Sequence, residues 1–459
     1  MTAMEALAGL WRLAGLPPAA LDGCTLTGSD PVFPSSFRVA TAAQSTIAAA
    51  ALAACELGHA RGVERQAVAV DAVHASVECL GWFSIDGRVP ELWDPFSGLY
   101  RASDGWVRIH ANFPHHREGA LRLLGLDPAH ADRAAAQQAM LAWKARDYED
   151  AAAAAGLVAA ALRTFEEWDA SAPGRAIAAQ PLLTIERIGD APPQPLPPLS
   201  AGQRPLEGVR VLDLTRILAG PVGGRALAAY GADVMLVNAP HLPNIEAIAD
   251  TSRGKRSALV DLRTPRGRDD MDALVAGAHV FIQGYRPGAL AALGLGAPAL
   301  AERRPGIVCV SLSAYGPQGP WKDRRGFDSL VQTATGFNQA EAAAFGDPAQ
   351  PKALPMQILD EATGYLIAFA AAAALWRQQR EGGSWHVQVS LAQTGHWLRQ
   401  LGRVDHGFAA KPPPMEPFLE TSASGFGALR GVRHSAQLGR TPPAWVLPSA
   451  PPGSSPPRW

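Results

Sequence analysis

One stretch of the chain is apolar on every side. Tyr365–Trp376 reads YLIAFAAAAALW, preceded by an acidic pair, Asp360-Glu361, with no further acid until Glu381. A run without a polar stripe predicts a helix buried inside a large domain. Arg377, Arg380 and Gly382-Gly383 close it as cations and glycine close a helix C-terminus, and Trp385–Leu391 (WHVQVSL) alternates like a strand. Asp360 therefore stands where the buried helix begins. Its carboxylate is expected to face unpaired N–H groups and the positive end of the helix dipole, which favour the ionised form. A capping role and a chemical role are both open on these residues alone.

The same pattern occurs earlier in weaker form. Residues 40–57 predict an Ala-rich helix and Gln66–Val73 a strand of alternating small residues. A shift of 319 residues lays Val68 and Val70 on Val387 and Val389, which reads as an internal repeat of one helix–strand unit. Thr41 then takes the place of Asp360, or Ala40 if the register slips by one. No carboxylate lies between Asp30 and Glu56, so the first copy has no acid. Residues 94–126 predict a turn, a strand (105–111) and a helix, and residues 131–171 a set of Ala-rich helices. His110, His115 and His116 cluster there without carboxylate or cysteine at ligand spacing, so they read as surface and packing histidines rather than a metal site.

The Pro192–Pro198 stretch, PPQPLPP, predicts a stiff, extended connector. Beyond it strands alternate with helices. Strands are expected at Val209–Leu214, Ala232–Val237, Ser257–Leu262, His279–Ile282 and Ile307–Ser313, with helices at Pro221–Tyr230 and Arg266–Gly277. Such βαβ order predicts a parallel sheet covered by helices on both faces. The expected organisation is a degenerate helix–strand copy plus a small α+β part over 1–190 and a linker over 191–204. A Rossmann-like half follows over 205–400, and a Pro-rich tail wraps the surface over 401–459.

Composition narrows the function. The 459 residues carry 41 Lys+Arg against 42 Asp+Glu, which argues against a general nucleic-acid binder. Cys24, Cys55, Cys79 and Cys309 are scattered without a CxxC pair, which suits buried thiols in a reducing compartment and a cytoplasmic location. The N-terminal MTAMEALAGLWRLAGL carries Glu5 and Arg12 and reads as an amphipathic helix rather than a signal peptide. No run reaches the roughly 18 to 20 uninterrupted apolar residues of a membrane span, so neither a membrane nor a nucleic acid is expected as partner. No GxGxxG follows the first strand, and GxxxxGK[ST], GxSxG and HExxH are absent, which removes the commonest dinucleotide, P-loop, hydrolase and zinc-protease signatures.

What remains is a set of four loops, each read as following a strand. Arg216 follows the first strand, Arg253–Arg256 is a compact basic loop, and Gly284–Gly288 offers an aromatic face with a cation beside it. GPQGP (316–320) and RRGFD (324–328) follow the last strand of the series. Each alone reads as a solvated loop. Together they suit an anionic ligand at the ends of a parallel sheet.

These residues match a family. GVRVLDLTRILAGP (208–221), GADVMLVNAP (231–240), RGKRSALVDLRTPRGR (253–268), YRPGALAALGLG (285–296), VSLSAYGPQGPWKDRRGFDSLVQTATG (310–336) and the Asp360 segment come in the order found in family III CoA-transferases, the formyl-CoA and carnitine CoA-transferase group. The chain resembles that family over about residues 206–391, and its first part resembles the family's small domain. The resemblance implies an α/β fold with a Rossmann-like parallel sheet domain and a smaller α+β domain. It also implies CoA transfer from an acyl-CoA to a carboxylic acid through aspartyl-anhydride and aspartyl-CoA intermediates. Asp360 would then be the nucleophile and Asp328 an acid close to it. Arg216, Ala219, Lys255, Arg256, Gly284, Tyr285 and Leu293 match positions near CoA. Coenzyme A and acyl-CoA would be substrates, with no permanently bound cofactor and no metal. A homodimer is implied; whether it interlocks is left open, because the order here resembles a permuted or partly duplicated version.

Departures from the family pattern are also visible. Gly284 stands where Asn is common, Ala292 where some members have Arg, and Ala239–Glu246 replaces the acid and arginine after the second strand. Two other readings stay on the table. One is an acyl-CoA racemase or epimerase of the same superfamily, disfavoured because Phe327 stands where those enzymes carry a histidine. The other is a non-catalytic CoA-binding protein.

Overall fold

The computed structural model describes all 459 residues. Two long helices form its axis, α1 (Val39–Ala60) and, much later in the chain, the helix around Asp360 (Ile358–Glu381). Every residue from Val39 to Gly58 and from Ile358 to Trp376 is buried. The two helices pack against each other more extensively than any other pair of elements. Their alanines make this possible, since small side chains let two helices approach closely with little side-chain entropy lost on burial. By length and composition both would pass for membrane spans, yet both are enclosed by protein.

Three further helices frame the site: α2 (Ala219–Ala229), α3 (Asp328–Ala334) and, after the Ile358–Glu381 helix, here α4, the helix α5 (Leu391–Leu401). The main sheet has seven strands, β1 (Leu183–Gly189), β2 (Arg210–Leu214), β3 (Asp233–Asn238), β4 (Lys255–Leu259), β5 (Val280–Gln283), β6 (Val308–Ser313) and β7 (Ser384–Ser390). Their order is β4-β3-β2-β5-β6-β7-β1, parallel throughout except for β1, which runs antiparallel to β7 at the edge. From β2 the chain moves outward to β3 and β4, then returns to the other side of β2 with β5, β6 and β7. The carboxyl ends of β2 and β5 therefore form a topological switch point, where open α/β sheets leave a crevice for ligands.

The first half adds a three-stranded antiparallel sheet, Gly98–Arg101, Trp106–Ile109 and Ala159–Ala161, with helices Pro114–Leu123, Arg133–Met140 and Ala145–Ala154 around a core of its own. This unit docks on the second half where Val158 and Ala160 pack with Leu330 and Ala334 of α3. Residues 190–200 run without regular structure and are held to the helix pair, Leu196 N–H donating to Gln379 Oε1 (3.1 Å) and Leu199 N–H to the Arg61 carbonyl (3.1 Å).

The tail is more than a surface wrap. Leu419–Ser424 and Gly427–Val432 form a hairpin that extends Phe83–Ile85, and Ala436–Leu438 pairs antiparallel with Val68–Asp71. Further on, Trp459 donates its indole N–H to the Leu274 carbonyl (2.7 Å), so the same tail also ties to the second half.

Candidate active site

The approach of α2 to α4 sets the site. Neither helix has a side chain at Gly223 or Gly364: a Cβ on Gly364 would lie 2.6 Å from the Ala219 carbonyl oxygen, and one on Gly223 2.9 Å from that of Gly364. This contact brings the first turn of α4, with Asp360, beside the N-terminus of α2. The loop joining β2 to α2 is strained there. Ile217 sits at φ 78°, a region β-branched residues avoid, and such a residue persists only where its surroundings over-determine it.

Between these elements lies a cavity of ≈ 500 Å³ at the carboxyl ends of β2, β5 and β6. Arg216–Ala219 follow β2, Gly284–Pro287 follow β5, and Ser313 and Ala314 end β6. The Arg324–Phe327 loop and Asp360 complete the second half's contribution. The first half supplies Phe113, His115 and His116, so one chain provides both walls. Asp360 is the only carboxylate in the lining. Arg216, Arg286 and Arg325 also line it without a carboxylate partner, Arg216 donating to the Pro243 carbonyl and Arg325 to the Gly156 carbonyl (2.9 Å).

The two acids expected from the sequence are together, in an arrangement the sequence did not suggest. Asp360 is not the cap of its helix: the N-cap position is Gln357, and Asp360 lies within the first turn. The N–H of Asp360 itself, in the first turn of α4, is taken by Asp328, whose Oδ2 accepts from it (2.9 Å), and the Leu359 N–H bears on the same carboxylate. Gln332 donates to the other oxygen of Asp328. Gln332 is held in turn by Leu354 N–H (2.9 Å) and Asn338. Thr333, which donates to Asn338 (2.6 Å), accepts from Arg108 of the first half (2.9 Å).

The ionisation expectation is overturned for the same reason. Burial, then the neighbouring Asp328, then Glu361 push the Asp360 carboxyl well above the carboxylate range. The helix N–H groups that would have stabilised its anion are spent on Asp328. Burial raises Asp328 too, to about 6, partly offset by those N–H groups and by Gln332. Of the pair, Asp328 carries the charge and Asp360 the proton.

Of the other candidates, Arg216, Ala219, Gly284 and Tyr285 line the cavity. Lys255, Arg256 and Leu293 do not. Lys255 opens β4 and so stands at its amino end, the opposite edge of a parallel sheet from the crevice. Its ammonium is fully buried, donating to Asp213 (2.9 Å) and the Pro221 carbonyl (2.8 Å). Arg256 forms a two-pronged pair with Asp233 (2.9 and 2.6 Å), and Leu293 is exposed on a short turn, Ala291–Leu293. The loop from Arg253 to Arg256 thus precedes a strand instead of following one. The sequence reading assigned the histidine cluster to surface and packing; only the fold brings His115 and His116 into the cavity that Asp360 lines.

The earlier helix start that the sequence shift lays on that of α4 has a cap of its own. Asp30 accepts from the N–H groups of Ala40 (2.8 Å) and Thr41 (3.0 Å) and from the Thr41 hydroxyl (2.6 Å), so the position matching Asp360 is closed by its own hydrogen bonds.

The model of CoA-transferase family III matches residues 3–194 and 206–420, which is most of the chain. The chain belongs to CoA-transferase family III. Among its relatives is an acyl-CoA transferase of Gibberella moniliformis, 29% identical over 415 residues, which are 81% of this chain and 73% of that protein. A probable fatty acyl-CoA transferase of Mycobacterium tuberculosis is 36% identical over 48% of this chain and 59% of its own length. A succinate–glutarate CoA-transferase of Agrobacterium fabrum is 32% identical over 46% and 56%. The chain thus spans little more than half the length of the last two. A crystal structure of the Mycobacterium tuberculosis protein matches 44% of this chain and 59% of that one at 34% identity, with a TM-score of 0.39 that adds nothing to the fold argument.

Proposed function

We propose that the protein moves CoA from an acyl-CoA thioester to a carboxylic acid, with Asp360 as nucleophile. The reading is carried by one observation: Asp360 is the only carboxylate in a cation-lined cavity at the switch point of the sheet. The ionised Asp360 attacks the thioester carbonyl, the C–S bond breaks, and CoA leaves as thiolate from a mixed aspartyl anhydride. The thiolate then attacks the aspartyl carbonyl, which forms an aspartyl-CoA thioester and releases the first acid as carboxylate. An incoming carboxylate attacks in turn, giving a new anhydride and free thiolate. Return of that thiolate to the new acyl carbon yields the new acyl-CoA and regenerates Asp360. Each step exchanges one activated acyl bond for another, so no other energy source is consumed.

The N-terminus of α2, with Ala219 in the cavity, and the cations Arg216 and Arg286 suit the anionic parts of CoA. Asp328 positions Asp360 through its backbone and raises its affinity for the proton, so reaction begins when the pair loses that proton.

Hydroxylamine trapping tests the proposal. Incubation with acyl-CoAs followed by hydroxylamine is expected to leave a hydroxamate on Asp360, located by peptide mass, and Asp360→Asn is expected to abolish both the label and CoA transfer. Transfer that survives in Asp360→Asn sinks the proposal. An unlabelled protein that exchanges the α-proton of acyl-CoA for deuterium does so as well, in favour of epimerisation.

A further inference from the structure

Attack by Asp360 requires the loss of its proton, and the groups that hold that proton in place reach back into the first half of the chain. Arg108 stands on the strand Trp106–Ile109 and forms no ion pair; its Nε donates to the Thr333 hydroxyl (2.9 Å). From there the bonds run one way. The Thr333 hydroxyl donates to Asn338 Oδ1 (2.6 Å), the Asn338 amide to Gln332 Oε1 (3.3 Å), and the Gln332 amide to Asp328 Oδ1. Backbone partners fix the direction at both amides. Leu354 N–H donates to Gln332 Oε1 (2.9 Å), and the Lys352 carbonyl accepts from Asn338 Nδ2 (3.2 Å). Every donor between the guanidinium and the carboxylate therefore points toward Asp328. Bonds aligned in this way polarise one another, and Thr333, Asn338, Gln332 and Asp328 are all fully buried, so solvent does not screen them.

The charges agree with the geometry. Burial lowers the Arg108 guanidinium to about 10 and Asp328 pulls against that, while Arg133 adds repulsion; Arg108 in return favours the anion of Asp328. Arg108 does not line the cavity, and the proton on Asp360 is held by burial, Asp328 and Glu361. Any effect of Arg108 on Asp360 thus passes through Asp328. The other groups facing the pair keep one charge state near pH 7. Glu361 on α4 holds its proton up to about pH 8, and His110, stacked on Phe327 at 3.8 Å, is kept neutral by burial. Arg216, Arg286 and Arg325 in the cavity stay cationic.

Resting on the CoA-transfer reading above, we infer that Arg108 is a positioning residue for the reaction: through this chain of donors it keeps the charge on Asp328, and so the proton on Asp360. The first half then governs the release of the nucleophile as well as walling its cavity. The two acids share one proton near pH 7, and as the pull of Arg108 weakens that proton passes to Asp328 and leaves Asp360 ionised.

The test is the pH profile of hydroxylamine labelling at Asp360 in the full-length protein and in Arg108→Gln, Arg108→Lys and Thr333→Val. With the cation gone, Asp328 is expected to bind its proton more tightly by about 0.5 to 1 pH unit. Labelling at pH 7 should then rise about 3- to 10-fold and begin at lower pH. Arg108→Lys keeps the charge and should stay close to the wild type. Thr333→Val breaks the chain from the second half, should move the profile the same way by less, and decides the matter where Arg108→Gln does not fold. In an Asp328→Asn background Arg108→Gln should add nothing, since the group it acts through is gone. A profile that is unchanged or moved to higher pH, a loss of labelling equal at every pH, or a full shift in the Asp328→Asn background overturns the inference. Labelling of the wild type with a profile indifferent to Arg108 ends this inference alone. No labelling of the wild type by any acyl-CoA ends the transferase reading and this inference with it.

Discussion

Glu361, next to the proposed nucleophile, gives the most direct check on the electrostatics argued here. Its carboxyl is 1% exposed, and neither oxygen has a hydrogen-bond partner. Burial raises its pKa from 4.5 to about 8, with Arg225 pulling down and Asp250, Glu78 and Asp328 pushing up. The folded protein therefore keeps a proton that the unfolded chain has released between about pH 4.5 and pH 8. Stability must fall as the pH rises through that window, by about 1.4 kcal/mol per unit. Between pH 5 and pH 8 the loss from this one group approaches about 4 kcal/mol. Glu361→Gln keeps the shape of the protonated acid and cannot ionise. Urea unfolding of both proteins at pH 5, 6.5 and 8 should show the variant gaining on the wild type by about 3–4 kcal/mol across the range, because the other titrating groups are common to both. A difference constant to within about 1 kcal/mol would refute the reasoning and mean that the carboxyl is anionic in the fold, paired with Arg225.

Four other outcomes follow from the same geometry. Asp328→Asn removes a negative charge from beside Asp360 while keeping an oxygen for the α4 N–H groups, so the pH at which hydroxylamine labelling switches on should move down. Arg216→Ala should weaken CoA binding, measured by calorimetry, by tenfold or more, the loss of a charged contact worth roughly 1.5–3 kcal/mol. Lys255→Met should leave CoA affinity within about twofold yet destabilise the fold by roughly 3–5 kcal/mol, because Asp213 is left buried and unpaired. Asp250→Asn should cost a similar roughly 3–5 kcal/mol in thermal or urea unfolding, since both Arg225 and Arg253 lean on that carboxylate in the core.

The parts of this protein that could be read from its sequence are those where chemistry and periodicity are local. A run apolar on all sides inside a large domain predicts a buried helix, and α4 is one; strands alternating with helices predict a parallel sheet, and Arg216, Gly284 and Tyr285 fall at its carboxyl ends accordingly. The misplacements are all matters of three-dimensional pairing. Nothing along the chain links Lys255 to Asp213, 42 residues away, or shows that a basic loop opens a strand instead of closing one. The N-terminus of α4 was correctly seen as rich in N–H groups, but those groups can be spent only once, and Asp328 has them. That partition keeps the charge on Asp328 and the proton on the residue proposed to react, which is the reverse of what Asp360 viewed alone suggests. At the earlier helix start Asp30 accepts from the Ala40 and Thr41 N–H groups and the Thr41 hydroxyl, and the first half contributes Phe113, His115 and His116 to the wall of the cavity.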